Sequence, residues 1–385
     1  MPTVFGGRRP LLAFAALVPV LVLALGPGEG RAQGEAGAVT AAIVPDLMDL
    51  PAAANPRATQ MLQLAIARAG QRLVSVGEGG IVLLSDDSGA SWRQASSVPV
   101  SVTLTDVTFV DAKQGWAVGH GGIVLHTADG GETWTRQLDG NGAARAVMAE
   151  AEALKAAGDP AADGALRNGT YMIADGPDKP FLGVTFIDDR RGWIVGAYGL
   201  ALETRDGGAS WQSITARIPN RGGKHLYGAA RLGDGLVIAG EQGALFLAAG
   251  FDDVFSAVES PYEGTFFGLR ALRDGGVLAF GLKGNAWRAG PGLADWRRVD
   301  LGAEVTVTTG LRLGDGSLVL GDESGRLLRS TDEALSFAAI PLSGGSGLTA
   351  VMQAPDDTLV ASGPRGNRRV TPNAQAPNSK AEEAY

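Results

Sequence analysis

The sequence predicts an all-β fold: a seven-bladed β-propeller of four-stranded blades carrying one helical insertion. The first observation behind this is a glycine pair that recurs along the 385 residues, at Gly77/Gly80, Gly119/Gly122, Gly196/Gly199, Gly240/Gly243, Gly281/Gly284 and Gly363/Gly366, with a looser pair at Gly321/Gly325. The second is the period: the second glycines are spaced by 42, 77, 44, 41, 41 and 41 residues. A repeat of about 40 residues with strand-like content marks propeller blades. The single long interval, Gly122 to Gly199, is one period plus an insertion of about 35 residues.

Each unit follows one internal plan. Around Gly119, Leu104–Asp111 alternates apolar and polar residues with β-branched content, so it reads as a strand. Trp116–Gly119, Ile123–Thr127 and Thr133–Gln137 supply three more. The next unit repeats them as Phe181–Asp188, Trp193–Gly196, Leu200–Thr204 and Trp211–Ile214. The last unit offers only three, Leu348–Gln353, Thr358–Ser362 and Asn367–Thr371, before Pro372. Closing the ring needs a fourth, and Ala38–Val44 is the β-capable run expected to donate it.

Between third and fourth strands lies a sharper pattern: Ser85–Trp92, Thr127–Trp134 and Thr204–Trp211. These segments resemble the Asp-box, or BNR repeat, S/T-x-D-x-G-x-S/T-W. The aspartates (Asp87, Asp129, Asp206) are suited to accept turn amides, the glycines (Gly89, Gly131, Gly208) to supply a positive φ, and Trp92, Trp134 and Trp211 to pack on a neighbouring blade. A fourth copy, Ser330–Phe337, keeps Asp332 but has Ala334 at the glycine position; units four and five keep only the aromatic, Phe255 and Trp296. The pattern is read as structural, because such turns lie away from the face where the second-to-third-strand loops sit.

The ends carry a different message. Arg8–Arg9, an apolar run Leu11–Leu25 and the small-x-small site at Gly30–Ala32 read as a secretory signal over residues 1–32. A linker with the ring-closing strand follows over 33–56, the propeller over 57–371 with its insertion at about 139–177, and a polar, disordered tail over 372–385. The chain has no cysteine, which excludes disulfides and thiolate chemistry. Its net charge of −8 argues against nucleic acid as a partner. Abundant alanine, with arginine preferred over lysine, suggests a GC-rich bacterial genome, and hence the periplasm as the destination.

Propeller geometry narrows the search for a site. The glycine turns join second to third strands and share a face with the blade-to-blade connections. Their inner residues, Glu78, His120, Tyr198, Glu241, Lys283, Glu323 and Arg365, are therefore expected to circle one channel mouth as a binding surface, or else to be turn residues that serve solubility. The insertion emerges on the same face. Ala143–Ala157 is helical by composition, with Val147, Ala151 and Leu154 on one stripe and Glu150, Glu152 and Lys155 off it; Gly158–Pro160 stops it. It is expected either to overhang the mouth as a lid or docking arm or to pack on its own blade. No catalytic set, metal site or cofactor motif emerges. His120, His126 and His225 lack ligand spacing with carboxylates, and the one Arg-Ile-Pro, Arg217–Pro219, follows the third Asp-box where a sialidase places it ahead of the first.

The string G-W-x-V-G-x-x-G-x-[IL]-x-x-[ST]-x-D-G-G-x-[ST]-W stands at Gly115–Trp134 and Gly192–Trp211. It resembles the photosystem II assembly and stability factors of cyanobacteria and chloroplasts, and their secreted relatives in other bacteria. The resemblance covers about residues 60–370. It implies a lumenal or periplasmic, non-catalytic propeller, monomeric, that serves a membrane protein or membrane complex through an arginine-rich patch. Arg190–Arg191, Arg221 with Lys224, Arg297–Arg298, and Arg365 with Arg368–Arg369 are the candidates for that patch. The expected function is a non-enzymatic exported assembly factor. The alternatives are an accessory protein of an exporter and a sialidase-like glycosidase.

Overall fold

The structure is a computed structural model that describes residues 46–342 and 346–370. The signal sequence, the Ala38–Val44 run and the tail from Pro372 lie outside the described residues. Seven antiparallel sheets follow one another as up-and-down meanders. The innermost strands are Gln63–Ala69, Leu104–Phe109, Phe181–Phe186, Leu226–Leu232, Phe266–Ala271, Val307–Arg312 and Ala350–Gln353. Six sheets have four strands. The seventh has three among the described residues, ending with Leu359–Gly363 and Gly366–Val370.

The second strands are the most deeply buried, because blades stack on both of their faces. Gly115–Gly119, Gly192–Gly196 and Val277–Gly281 are buried at every residue. Trp116 of blade two stacks on Phe186 of blade three with ring centroids 3.6 Å apart. Clusters of this kind fill the seams between neighbouring blades, so the core is distributed around the ring rather than central.

Inner-strand side chains tie five of the seven seams around the channel. Thr105 Oγ1 donates to the Phe181 carbonyl at 2.7 Å, Thr185 to Ala229 at 2.7 Å, Thr308 to Leu348 at 2.6 Å and Thr349 to Gln63 at 2.6 Å. Arg270 Nε donates from blade five to the Gly310 carbonyl of blade six. The Thr349 bond joins blade seven to blade one. Arg369 Nη1 to the Ser88 carbonyl and Asn367 Nδ2 to Ser75 Oγ add to the same closure.

The chain reaches blade one from the side of blade two. The Leu47 carbonyl accepts from Ser101 N, Arg136 binds Met48 and Asp49, and the Asn55 amide donates to Gln94 of blade one's outer strand. The three-residue turn Ala58–Gln60 then lies against the start of Gly366–Val370. Within the described residues, ring closure thus rests on side chains and seam packing.

The insertion differs from the single helix expected. It is a hairpin, α1 (Gly140–Ala156) and α2 (Ala162–Asp175). Asp139 caps α1, its side chain accepting from Gly142 N at 2.8 Å. Gly158, at φ 69°, ends the first helix, and Pro160 precedes rather than prevents the second. Gly169 admits Met148 at the helix crossing, where an added Cβ would come within 3.1–3.4 Å of it. Ala143, Ala144, Val147 and Met172 join the core between blades two and three. Glu150, placed off the apolar stripe by sequence, instead faces blade three: Ser213 Oγ and Ala216 N donate to its carboxylate.

Candidate functional site

Two faces frame the ring. Turns between first and second strands share one face with the Asp-centred turns. The glycine turns and blade-to-blade connections share the other. On the first face the four turns have one geometry. Asp129 Oδ1 accepts from Thr133 N at 2.9 Å, Oδ2 accepts from Thr133 Oγ1 at 2.6 Å, and Thr127 Oγ1 donates to Oδ1 while accepting from Gly131 N. Asp87, Asp206 and Asp332 repeat these bonds. The donors lower all four carboxyl pKa values, those of Asp87 and Asp332 to about 2. Gly131 sits at φ 88° with Val74 and Leu84 of blade one 3.2 Å from where a Cβ would be. Trp134 donates its indole N–H to the Gly131 carbonyl at 2.9 Å and packs in the same seam. These residues hold turns against the preceding blade, and their polar atoms are consumed in doing so.

The glycine face divides the predicted binding residues into two kinds. Glu78, Glu241 and Glu323 occupy the first position after the glycine, or its equivalent, and turn inward to the backbone. Glu78 N donates to the Leu62 carbonyl and the Glu78 carboxylate accepts from Leu62 N. Glu241 does the same with His225, and Glu323 with Thr306. Each therefore clamps the chain where it enters a blade. His120 makes only the backbone half of this clamp, to Thr103. Tyr198 and Lys283 occupy the next position, with left-handed φ of 57° and 54°. Tyr198 is 59 % exposed. Its ring meets His225 edge-on at 5.0 Å and lies 5.5 Å from Lys179 Nζ. Arg365 borders a small recess with Ser346 and Arg368. None of the seven lines the central channel cavity.

The channel itself is lined by inner-strand residues of all seven blades, in a cavity of about 470 Å³. Its charged groups include Asp106 and Arg270. Asp106 accepts from Val107 N and, across the seam, from Val184 N, both at 2.9 Å. Burial pushes its pKa up to about 6. Arg270 spends its guanidinium on the Leu269 and Gly310 carbonyls, and burial lowers its pKa. Both side chains brace blades. Sequence reasoning passed over them; the signal was a charged residue within each inner-strand pattern. Among the described residues no group of three His, Asp or Glu is placed to hold a metal.

A second cavity, about 800 Å³, opens between the helical hairpin and blade three. Val147, Ile218 and Pro219 give it an apolar lining, while Tyr198, Arg167 and Arg221 are exposed around it. Glu150 fixes its inner wall through Ser213 and Ala216, and burial raises the Glu150 pKa. Of the predicted binding residues, Tyr198 belongs to this cleft. The arginine candidates do not form one patch. Arg190–Arg191 lie on the opposite face, where Arg191 pairs with Asp252. Arg297–Arg298 form an outer strand, and Arg369 pairs with Asp356. Arg221 stands at the cleft.

Fold and faces define an all-β propeller with a helical insertion on its glycine face. The family model for the photosynthesis system II assembly factor YCF48 matches residues 88–152 and 173–258, which take in blades two, three and four and part of the helical insertion. Over those segments, less than half of its length, the chain is similar to the photosystem II assembly factors, and the whole is a seven-bladed propeller. A solved structure described as YCF48 bound to D1 peptide superposes with a TM-score of 0.58 at 15 % identity, over 82 % of this chain and 95 % of that one. YCF48 from Cyanidioschyzon merolae gives 0.56 at 14 % identity, over 80 % and 95 %. A streptogramin B lyase gives 0.61 at 11 % identity, over 82 % and 95 %. At such identities these likenesses establish the fold. No curated protein matches the sequence.

Proposed function

We propose that this protein is a non-enzymatic, exported assembly factor that holds an extended segment of a membrane protein on its glycine face, in the cleft beside the helical hairpin. The observation that carries the reading is the cleft itself: an apolar trough bordered by an exposed tyrosine and two arginines, walled by an insertion pinned to the ring. Apolar residues of a bound segment gain by burial there, and Arg167 and Arg221 favour acidic groups on it. Support also comes from the YCF48 fold relative, which was solved bound to D1 peptide. The signal-like leader supports a periplasmic site of action, or a lumenal one in a photosynthetic source, and the protein is read as a monomer.

The test is crosslinking of a tagged copy in intact cells, followed by mass spectrometry. Recovery of a membrane complex that is lost with Tyr198→Ala and Arg221→Glu supports the reading. Undiminished recovery with both variants overturns the cleft as the site. Recovery of nothing reproducible, with the crosslinker shown to be active, overturns the assembly-factor function.

A further inference from the structure

Among the described residues, the third strand of blade seven pairs with no outer strand and borders a groove. In each of the six four-stranded blades the outer strand begins eight residues after the third strand ends: Ser85 to Arg93, Thr127 to Thr135, Thr204 to Gln212, Ala248 to Ser256, Ala289 to Arg297 and Ser330 to Ala338. The register is equally constant. The penultimate residue of the third strand faces the first residue of the outer strand: Leu84 with Arg93, His126 with Thr135, Glu203 with Gln212, Leu247 with Ser256, Arg288 with Arg297 and Arg329 with Ala338. The spacing holds in blades four and five, whose turns lack the Asp-centred bonds, so it is set by the ring and not by the turn sequence.

The third strand of blade seven is described over Gly366–Val370, and Val370 faces Leu359 of the second strand as Ser85 faces Leu73 in blade one. Alongside it lies a groove of about 1060 Å³, lined by Ala338, Ala339 and Ile340 of blade six and by Leu359, Arg369 and Val370 of blade seven. We propose that this groove is the docking site of the chain's own C-terminal segment, and that residues 378–380 pair there as the fourth strand, Asn378 opposite Arg369 and Ser379 opposite Arg368. The chain leaves Val370 at the groove, and residues 371–377 provide the same seven-residue connection that the other six blades use. The Ala38–Val44 run is the poorer occupant, because Leu47, three residues beyond it, is held by Ser101 between blades one and two. At the aromatic position of the connection, where the other blades carry Trp or Phe, this segment has Pro377. The strand is therefore held mainly by its ladder, and should be the most easily displaced outer strand of the ring.

The absence of cysteine makes the register directly testable. In full-length protein, the pair Arg369→Cys with Asn378→Cys should form an intramolecular disulfide at least tenfold faster than the out-of-register pair Arg369→Cys with Ser379→Cys. Equal rates, or a disulfide between two copies, would overturn the proposal. Amide exchange supplies an independent reading on otherwise unaltered protein. Removing residues 372–385 should speed exchange within Gly366–Val370 at least tenfold, and removing residues 33–44 should not. The reverse pattern would assign the groove to the N-terminal segment instead.

Discussion

Blades two and five solve the same geometric problem with different chemistry. Each joins its third strand to its outer strand through seven residues and places a tryptophan, Trp134 or Trp296, just before that strand. In blade two the connection is organised by Asp129, which absorbs amide and hydroxyl donors, and by Gly131 at φ 88°. Blade five has neither. Its counterpart of Gly131 is Leu293, also left-handed at φ 59° and only 3 % exposed. A left-handed leucine costs about 1–2 kcal/mol, and burying its side chain offsets that by about 1.5–3 kcal/mol. Blades two and five share the span, a left-handed residue and a tryptophan just before the outer strand; blade four keeps only the span and an aromatic, Phe255. The aspartate is one way among several to satisfy the turn.

The comparison is broken most directly at the tryptophans. Trp134→Ala and Trp296→Ala should each cost about 3–5 kcal/mol in chemical denaturation; a mild effect at Trp296 alone would mean that blade five does not depend on the shared anchor. Asp129→Ala should cost about 1–3 kcal/mol, because it strands turn donors. If the melting temperature were unchanged while partner binding was lost, the structural reading of these turns would be wrong. Phenylalanine sharpens the same point. Trp211 Nε1 is buried without a partner among the described residues, whereas Trp134 Nε1 is bonded, so Trp134→Phe should cost about 1 kcal/mol more than Trp211→Phe. On the opposite face, Glu78→Ala should cost about 1 kcal/mol by releasing Leu62 N, with local amide exchange as the readout.

Acid titration separates the turn carboxylates from the channel carboxylate by sign. Asp87 and Asp332 are lowered to about 2 in the fold, so their stabilisation is full above the unfolded value of about 4 and is lost as pH falls toward 2. Asp106 is raised to about 6, so the folded protein binds the extra proton and its contribution declines as pH rises from about 4 to 6. Asp106→Asn should flatten the upper limb of a pH–stability curve and Asp87→Asn the lower. An upper limb unchanged in Asp106→Asn would show that the channel carboxylate does not titrate there.

Repetition made the ring legible. Glycine turns and Asp-centred segments recur at a fixed period because each blade meets nearly the same neighbours, and local sequence records that environment seven times. The third-strand ends at Thr127 and Thr204 were readable for the same local reason. Features that occur once were not. The second helix was hidden behind Asp159-Pro160, which reads as a stop but here precedes α2. Glu150 looked like a solvent residue until Ser213, 63 positions away, supplied its partner. The turn glutamates resembled a binding ring because sequence places them on the right face without saying which way a side chain turns. By itself the sequence determined the number of blades, their strand order and the turns between them, all properties of short segments. Only the tertiary structure decided the clamps, the cleft beside the hairpin, the bracing role of Asp106 and Arg270 and the direction from which the chain enters the ring. Those rest on contacts between residues far apart in the chain, for which no local pattern is selected.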